Sequence, residues 1–341
     1  MRRQGNRGQR TRRVGGLVAV VLAAGSGLVA CGGSGDAPDA RTATRSVTDA
    51  AGKQVTVPQR PRRIVTLGEP VLDGALALKA PVAGTTAGRG QGGAPAYLSA
   101  KAKNVPVVAT VAGPDLEKIA GLKPDLILTD ASVRLDDATR SKLDGIAPTV
   151  TVSKRGQSWQ EAFTAEARIL NRAGQGRAVL SAYRARVTKV KGELGENAKS
   201  TVSIVRWNSG EPSVLLTEQP ASQVVADLGL RRPPAQNKRG PGHGVPVSLE
   251  KLPDIDADWM FFGTLGGSSG GQGDTKAGAD KVGTDASAKL LATAKKTPGF
   301  PRLGAYRDHH IVPIDGTAWT SAGGPLAVNV VLDDVAKAMG T

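Results

Sequence analysis

The phrase LEKIAGLKPDLILTD starts at Leu116, and LEKLPDIDADWMFFG starts at Leu249, a constant offset of 133 residues. Each copy reads Leu-Glu-Lys, an apolar residue, two spacers, a second apolar residue and two more spacers. An Asp and an apolar run follow in both. Apolar positions three apart suit a short helix, and the closing run suits a buried strand. A chain that writes this unit twice is held to two similar α/β halves.

The residues around the two copies extend that pattern. VTDAAGKQVTVPQRPRRIVTLG opens with a hairpin signal, Asp49-Ala-Ala-Gly52 as turn and Val55–Val57 as return strand. Arg63–Leu67 reads as a buried strand ending at Gly68, and Pro70–Leu78 as a short helix. Helix and strand then alternate through Asp115–Ala120, Leu126–Leu128, Leu135–Ile146 and Thr149–Val152. Such alternation points to parallel sheets flanked by helices. Two helical stretches follow: Trp159–Arg172, with Gly174-Gln-Gly176 expected to close it, and Arg177–Leu194. The second carries one apolar stripe at helical period and is the longest uninterrupted helix, in the middle of the chain. Alternation restarts at Thr201–Trp207, Val214–Thr217 and Ala221–Leu228. His310–Pro313 reads as a late strand and Gly324–Met339 as a closing helix, with Pro325 in its first turn, where a missing N–H costs nothing. The spacing therefore predicts two parallel-sheet α/β lobes, 46–158 and 197–341, bridged through residues 159–196 by one long helix.

A length of 341 residues allows a buried core in each lobe. The formal net charge is +15. Six arginines and no acids lie in residues 1–30, so the remainder holds 39 basic against 30 acidic residues. That excess suits an anionic ligand or surface. Basic and acidic residues are interspersed, and no basic stripe carries interleaved aromatics, so no nucleic-acid partner is expected.

The N-terminus reads as an export signal. MRRQGNRGQRTRR is a charged leader, and GGLVAVVLAAGSGLVA is too short and glycine-rich for a membrane-spanning helix. It ends Leu28-Val29-Ala30-Cys31-Gly32, which resembles a bacterial lipobox, with Cys31 as the lipidated residue. Cys31 is the chain's only cysteine and has no internal disulfide partner. Thr11-Arg12-Arg13 faintly resembles a twin-arginine signal, so the export route stays open. Residues 31–45 read as a flexible tether, and the anchor would hold the protein on the outer face of the cytoplasmic membrane.

From about residue 46 to 339 the chain resembles the substrate-binding proteins of iron–siderophore and vitamin B12 ABC importers. VTDAAGKQVTVPQRPRRIVTLG, LEKIAGLKPDLILTD, VADLGLRRP, VSLEKLPDIDADWMFF and WTSAGGPLAVNVVLDDV carry the resemblance, in that order. It implies two α/β lobes bridged by a single long helix, with the ligand in the cleft between them and only small closure. It implies a ferric siderophore as cargo and an ABC permease dimer with its ATPase as partners. The protein itself is expected to be a monomer without a cofactor. A corrinoid or haem is the alternative cargo. By the same resemblance, Glu117 and Glu250, one per lobe, would bridge to arginines of the two permease subunits. The plainer reading is that each glutamate only stabilises a helix N-terminus.

Candidate ligand contacts lie in loops after strands. They are Arg89 and Tyr97 in GRGQGGAPAYL, Arg206 and Trp207 ending a C-lobe strand, Lys238 and Arg239 in QNKRGPGH, and Trp319 in DGTAWTSAGG. Arginine offers planar donors to ligand oxygens, and Trp or Tyr offers flat apolar area. Trp159 is a further candidate, against a core-packing alternative. Protein-held metal is not expected, because adjacent His309 and His310 before a strand point to opposite faces. Gly266-Gly-Ser268-Ser-Gly270 matches G-x-S-x-G, with acids and His309 downstream. A hydrolase elbow needs a helix straight after its serine, and the glycine-rich run that follows has no helical period. No enzyme activity is therefore expected.

Overall fold

β1 (Thr44–Thr48) and β2 (Gln54–Pro58) pair antiparallel. Their turn is set by Asp49, whose Oδ1 accepts from the amides of Ala51 at 2.8 Å and Lys53 at 2.9 Å. The computed structural model describes residues 43–110, 112–130, 135–208, 210–240, 242–265 and 282–341. The export signal, Cys31, most of the tether and the Gly266–Gly270 motif lie outside them.

The first sheet contains β3 (Ile64–Leu67), followed by α1 (Glu69–Ala77), β4 (Val82–Thr86), β5 (Val107–Thr110) and β6 (Gly113–Pro114). After α2 (Leu116–Gly121) come β7 (Leu126–Thr129), α3 (Asp137–Ile146) and β8 (Thr149–Thr151). Strand order is β6-β5-β4-β3-β7-β8, and only β5–β6 is antiparallel. β3 and β7 are buried at every position, as strands covered on both faces must be.

The linker holds α4 (Trp159–Ile169) and α5 (Ala173–Glu193). α5 begins earlier than the sequence reading placed it, and Gly174-Gln-Gly176 lies inside it rather than closing α4. The chain turns instead at Leu170–Arg172, where Asn171 adopts φ +55°. Gly176 has a packing reason: a Cβ there would lie 2.6 Å from the Ala167 Cβ. The glycine lets α4 and α5 approach closely, and that outweighs its weak helix propensity.

The second sheet contains β9 (Val202–Asn208) and β10 (Glu211–Leu215), then α6 (Pro220–Asp227), β11 (Gly244–Pro246) and β12 (Trp259–Gly263). α7 (Gly283–Ala294), α8 (Gly304–Arg307), β13 (Ile311–Pro313), α9 (Gly316–Trp319) and α10 (Pro325–Met339) complete the chain. Strand order is β11-β10-β9-β12-β13. β9, β12 and β13 are parallel, but β10 and β11 run antiparallel. The parallel core of the second lobe thus carries an antiparallel edge, as the first does at β6. Only two residues separate β9 from β10, too few for a parallel crossover.

The repeated phrase takes two forms. In the first copy Asp115 caps α2, its Oδ1 accepting from Lys118 N at 3.1 Å. The second copy, Leu249–Ile255, is a 3-10 segment with a non-helical Lys251 and an internal Pro253. Proline removes an amide donor and forbids a regular α-turn there.

Both sheets belong to one compact unit, Pro38–Thr341. α10 packs against α1 of the first lobe as well as α5 and α6. The core runs continuously through it, from Val71 and Ala75 of α1 to Val328, Val331 and Val335 of α10.

Candidate functional site

In parallel α/β sheets, ligand sites form beyond the carboxyl ends of the strands. Here a cleft opens beyond the carboxyl ends of β4, β7 and β8. Its first wall comes from Pro70, Arg89, Asp130 and the Ser153–Gln157 loop after β8. Trp159 and Ala162 of α4 form the floor. The opposite wall is Glu218–Pro220, Gly240, Gly242 and His243, with Ala322 and Gly323 closing one side.

The cleft gathers positive charge. Arg89 and Arg155 line it, and Arg206 on β9 lies close enough for its charge to act on both Arg89 and His243. Burial, then Arg89, lowers the Arg206 guanidinium from its ordinary range. Its Nη1 donates to the Thr320 carbonyl at 3.2 Å, while its Nε–H is buried without a partner. His243 is pushed down to about 4, first by burial and then by Arg89, Arg206 and Arg155. The imidazole is therefore neutral near pH 7.

The sequence candidates divide. Arg89 lines the cleft, and Arg206 stands behind it. Trp207 does not: it is 2% exposed, packed against Phe262 and Phe300 with ring centroids 5.7 and 5.8 Å away. Successive strand residues face opposite sides, so Arg206 and Trp207 cannot both point to one cleft. Trp319 is also a core residue, fully buried, stacked on Phe261 at 4.5 Å, with Nε1 donating to Asp334 at 2.7 Å. Tyr97 is half-buried behind the cleft, its hydroxyl donating to Asp73 at 2.9 Å. Burial and the Asp73 charge hold that hydroxyl's pKa well above its ordinary value.

Lys238 and Arg239 are exposed. Arg239 Nε sits 3.2 Å from Glu218, and the Lys238 carbonyl accepts from Thr217 N at 3.0 Å. The loop meets the cleft through Gly240, Gly242 and His243 instead. Trp159 combines both of its readings. It is 4% exposed, edge-on to Tyr183 at 4.8 Å, and it also forms the cleft floor. Glu117 and Glu250 are exposed, one on each lobe, and Leu249, next to Glu250, is the exposed large hydrophobic of the described residues.

Sequence reasoning missed a set of buried carboxyls behind the cleft. Glu69 accepts from Arg89 N at 3.0 Å and from the Ser321 hydroxyl, tying the first wall to the segment that closes the cleft's side. Asp73 accepts from the amides of Gly324, Leu326 and Ala327 at 3.1, 2.8 and 2.9 Å, capping α10 from α1. Glu166 is 2% exposed; burial, then Asp73 and Asp130, raises its pKa well above the ordinary carboxyl range. The one available signal was Glu69 and Asp73, four apart in an otherwise apolar helix. A first-turn acid has a local explanation, which hid the longer-range one.

Among the described residues, no group of three or more His, Cys, Asp or Glu could hold a metal ion, and no helix is long and apolar enough to cross a membrane.

Two α/β sheets facing across a cleft, with a bridging helix beneath, define a two-lobed binding protein. The chain belongs to the periplasmic binding protein family, whose profile matches residues 65–315. It is 30% identical to the probable siderophore-binding lipoprotein YfiY of Bacillus subtilis (strain 168), over 94% of this chain and 96% of the relative. It is 26% identical to the achromobactin-binding periplasmic protein of Dickeya dadantii (strain 3937), over 82% of this chain and 87% of that one. The fold is similar to that of Staphylococcus aureus SirA complexed with staphyloferrin B. That likeness has a TM-score of 0.70 at 21% identity, covering 86% of this chain and 98% of SirA.

Proposed function

We propose that this protein is the substrate-binding lipoprotein of an ABC importer, capturing a ferric siderophore and delivering it to a membrane permease. The observation that carries the reading is the cleft itself. Arg89, Arg155 and Arg206 converge on it over an indole floor, in a chain similar along nearly its whole length to the probable siderophore-binding lipoprotein YfiY. Ferric siderophores present carboxylate, hydroxamate or catecholate oxygens around iron, and arginine forks match such oxygens. The chelator brings the iron, so the protein needs no metal ligands of its own.

Cys31 carries the lipid, and the segment up to residue 45 tethers the folded lobes to the outer face of the cytoplasmic membrane. Cys31→Ser in the expressed full-length chain should release the protein from the membrane fraction. Glu117 and Glu250 engage the paired permease subunits, while the ATPase acts from the other side of the membrane. The binding protein works as a monomer, and the cleft does no chemistry on its cargo.

Native mass spectrometry against ferric hydroxamates, ferric catecholates, ferric citrate, haem and cobalamin tests the cargo. Retention of a ferric siderophore supports the reading; exclusive retention of haem or cobalamin overturns it. Ester hydrolysis that survives Ser268→Ala would dismiss the G-x-S-x-G motif as its source, and an activity that disappears with it would restore a hydrolase.

A further inference from the structure

His243 is held in one tautomer by a short relay. The Gln219 side-chain amide donates to the Gly242 carbonyl at 3.1 Å. A carbonyl only accepts, so the amide nitrogen must face Gly242 and Oε1 must face the ring. Gln219 Oε1 lies 3.1 Å from His243 Nδ1, which must then carry the hydrogen. In neutral His243 the lone pair therefore sits on Nε2. Nε2 has no protein partner among the described residues, and the ring lines the cleft.

The charges facing this ring come from every side. Arg89 and Arg155 reach it from the first lobe, and Arg206 from β9. Lys154 stands beside Arg155 on the cleft wall. The acids are occupied elsewhere. Glu218 is 3.2 Å from Arg239 and accepts from Gly240 N. Glu69 is held by Ser321 and the Arg89 amide. Asp130 lies on the opposite wall with an interaction of its own. The ring thus experiences a net positive field, which opposes its protonation. A bound polyanion would reverse the sign of that field.

We propose that His243 is a proton-coupled ligand contact: neutral in the free protein, it takes one proton from solvent onto Nε2 when an anionic ferric chelate binds, and donates that hydrogen to the chelate. This rests on the siderophore reading and narrows it to anionic, carboxylate- or catecholate-bearing chelates over neutral hydroxamates. Binding and protonation are then reciprocal, each favouring the other by the same factor.

The chain has three histidines, so imidazole NMR resolves each one, with His309 and His310 as internal controls and His243→Gln for assignment. Gallium complexes of citrate, staphyloferrin B and achromobactin replace the paramagnetic ferric ones. In the free protein His243 should titrate near 4. With a gallium chelate bound its midpoint should rise past about pH 7, so that the ring is charged in the complex at neutral pH, while the controls stay put. Affinity for the same chelate should gain up to about tenfold per pH unit of acidification between the two midpoints. His243→Gln should lose that share of the pH dependence, whatever its affinity at pH 7.5. A chelate that binds without moving His243 overturns the proposal. So does a protein that retains only neutral hydroxamates. A protein that retains no siderophore at all fails the function itself, a separate result.

Discussion

The Tyr97 hydroxyl donates to Asp73 Oδ2 at 2.9 Å, and the same carboxyl caps the N-terminus of α10 through three backbone amides. Asp73 lies on α1, in the first lobe, and α10 closes the chain. One buried side chain thus holds together residues about 250 apart in sequence. Tyr97 was a ligand candidate in the sequence; in the fold it is the fourth donor of this junction.

Burial pushes Asp73 up to about 6, against the pull of its four hydrogen bonds, which favour the ionised form. A folded-state pKa above the unfolded one, near 3.9, means the folded state binds its proton more tightly. That contribution is complete below about pH 4 and is lost as pH rises through about 6. Urea unfolding from pH 4 to 7 should therefore find the stability of wild type relative to Asp73→Asn increasing as pH falls. Asp73→Ala leaves three amides and a buried phenol short of an acceptor and should cost about 3 kcal/mol.

Two glycines of α5 should answer oppositely to substitution. A Cβ at Gly174 meets nothing within 4 Å, so Gly174→Ala should stabilise by about 0.5 to 1 kcal/mol through helix propensity. Gly176→Val drives a branched side chain into Ala167 and should destabilise by about 2 kcal/mol. Thermal melts of the two variants check the sign.

Arg89→Ala and Trp207→Ala separate the cleft from the core. The arginine change should weaken ferric-siderophore binding at least tenfold, about 1.4 kcal/mol, with little change in melting temperature. Trp207→Ala empties a site between Phe262 and Phe300 and should cost about 3 to 5 kcal/mol of stability. Binding titrations paired with melts decide both.

Glu117→Ala combined with Glu250→Ala should leave siderophore affinity unchanged and reduce uptake by whole cells. Both glutamates are exposed and neither lines the cleft. A loss of affinity in the purified double variant would remove the docking role.

The α/β alternation and the duplicated half were legible because they depend on local periodicity. Buried strands such as Ile64–Leu67 and the amphipathic α5 declare themselves within a few residues. Arg89 could be named because it directly follows a strand, where sites in such sheets form. The family's residues carried the rest of that reading.

Other features had no local sign. Whether Trp207 faces ligand or core depends on which side of β9 Phe300 covers, and Phe300 lies over 90 residues downstream. Gly174 and Gly176 look alike in sequence, and only the approach of Ala167 distinguishes them. His243, the buried Glu166 and the Asp73 junction depend on contacts between segments far apart in the chain. Short-range pattern determined the elements and their order. Long-range packing decided which polar side chains were buried, which were paired and which face the cleft, because burial and electric field are set by neighbours in space.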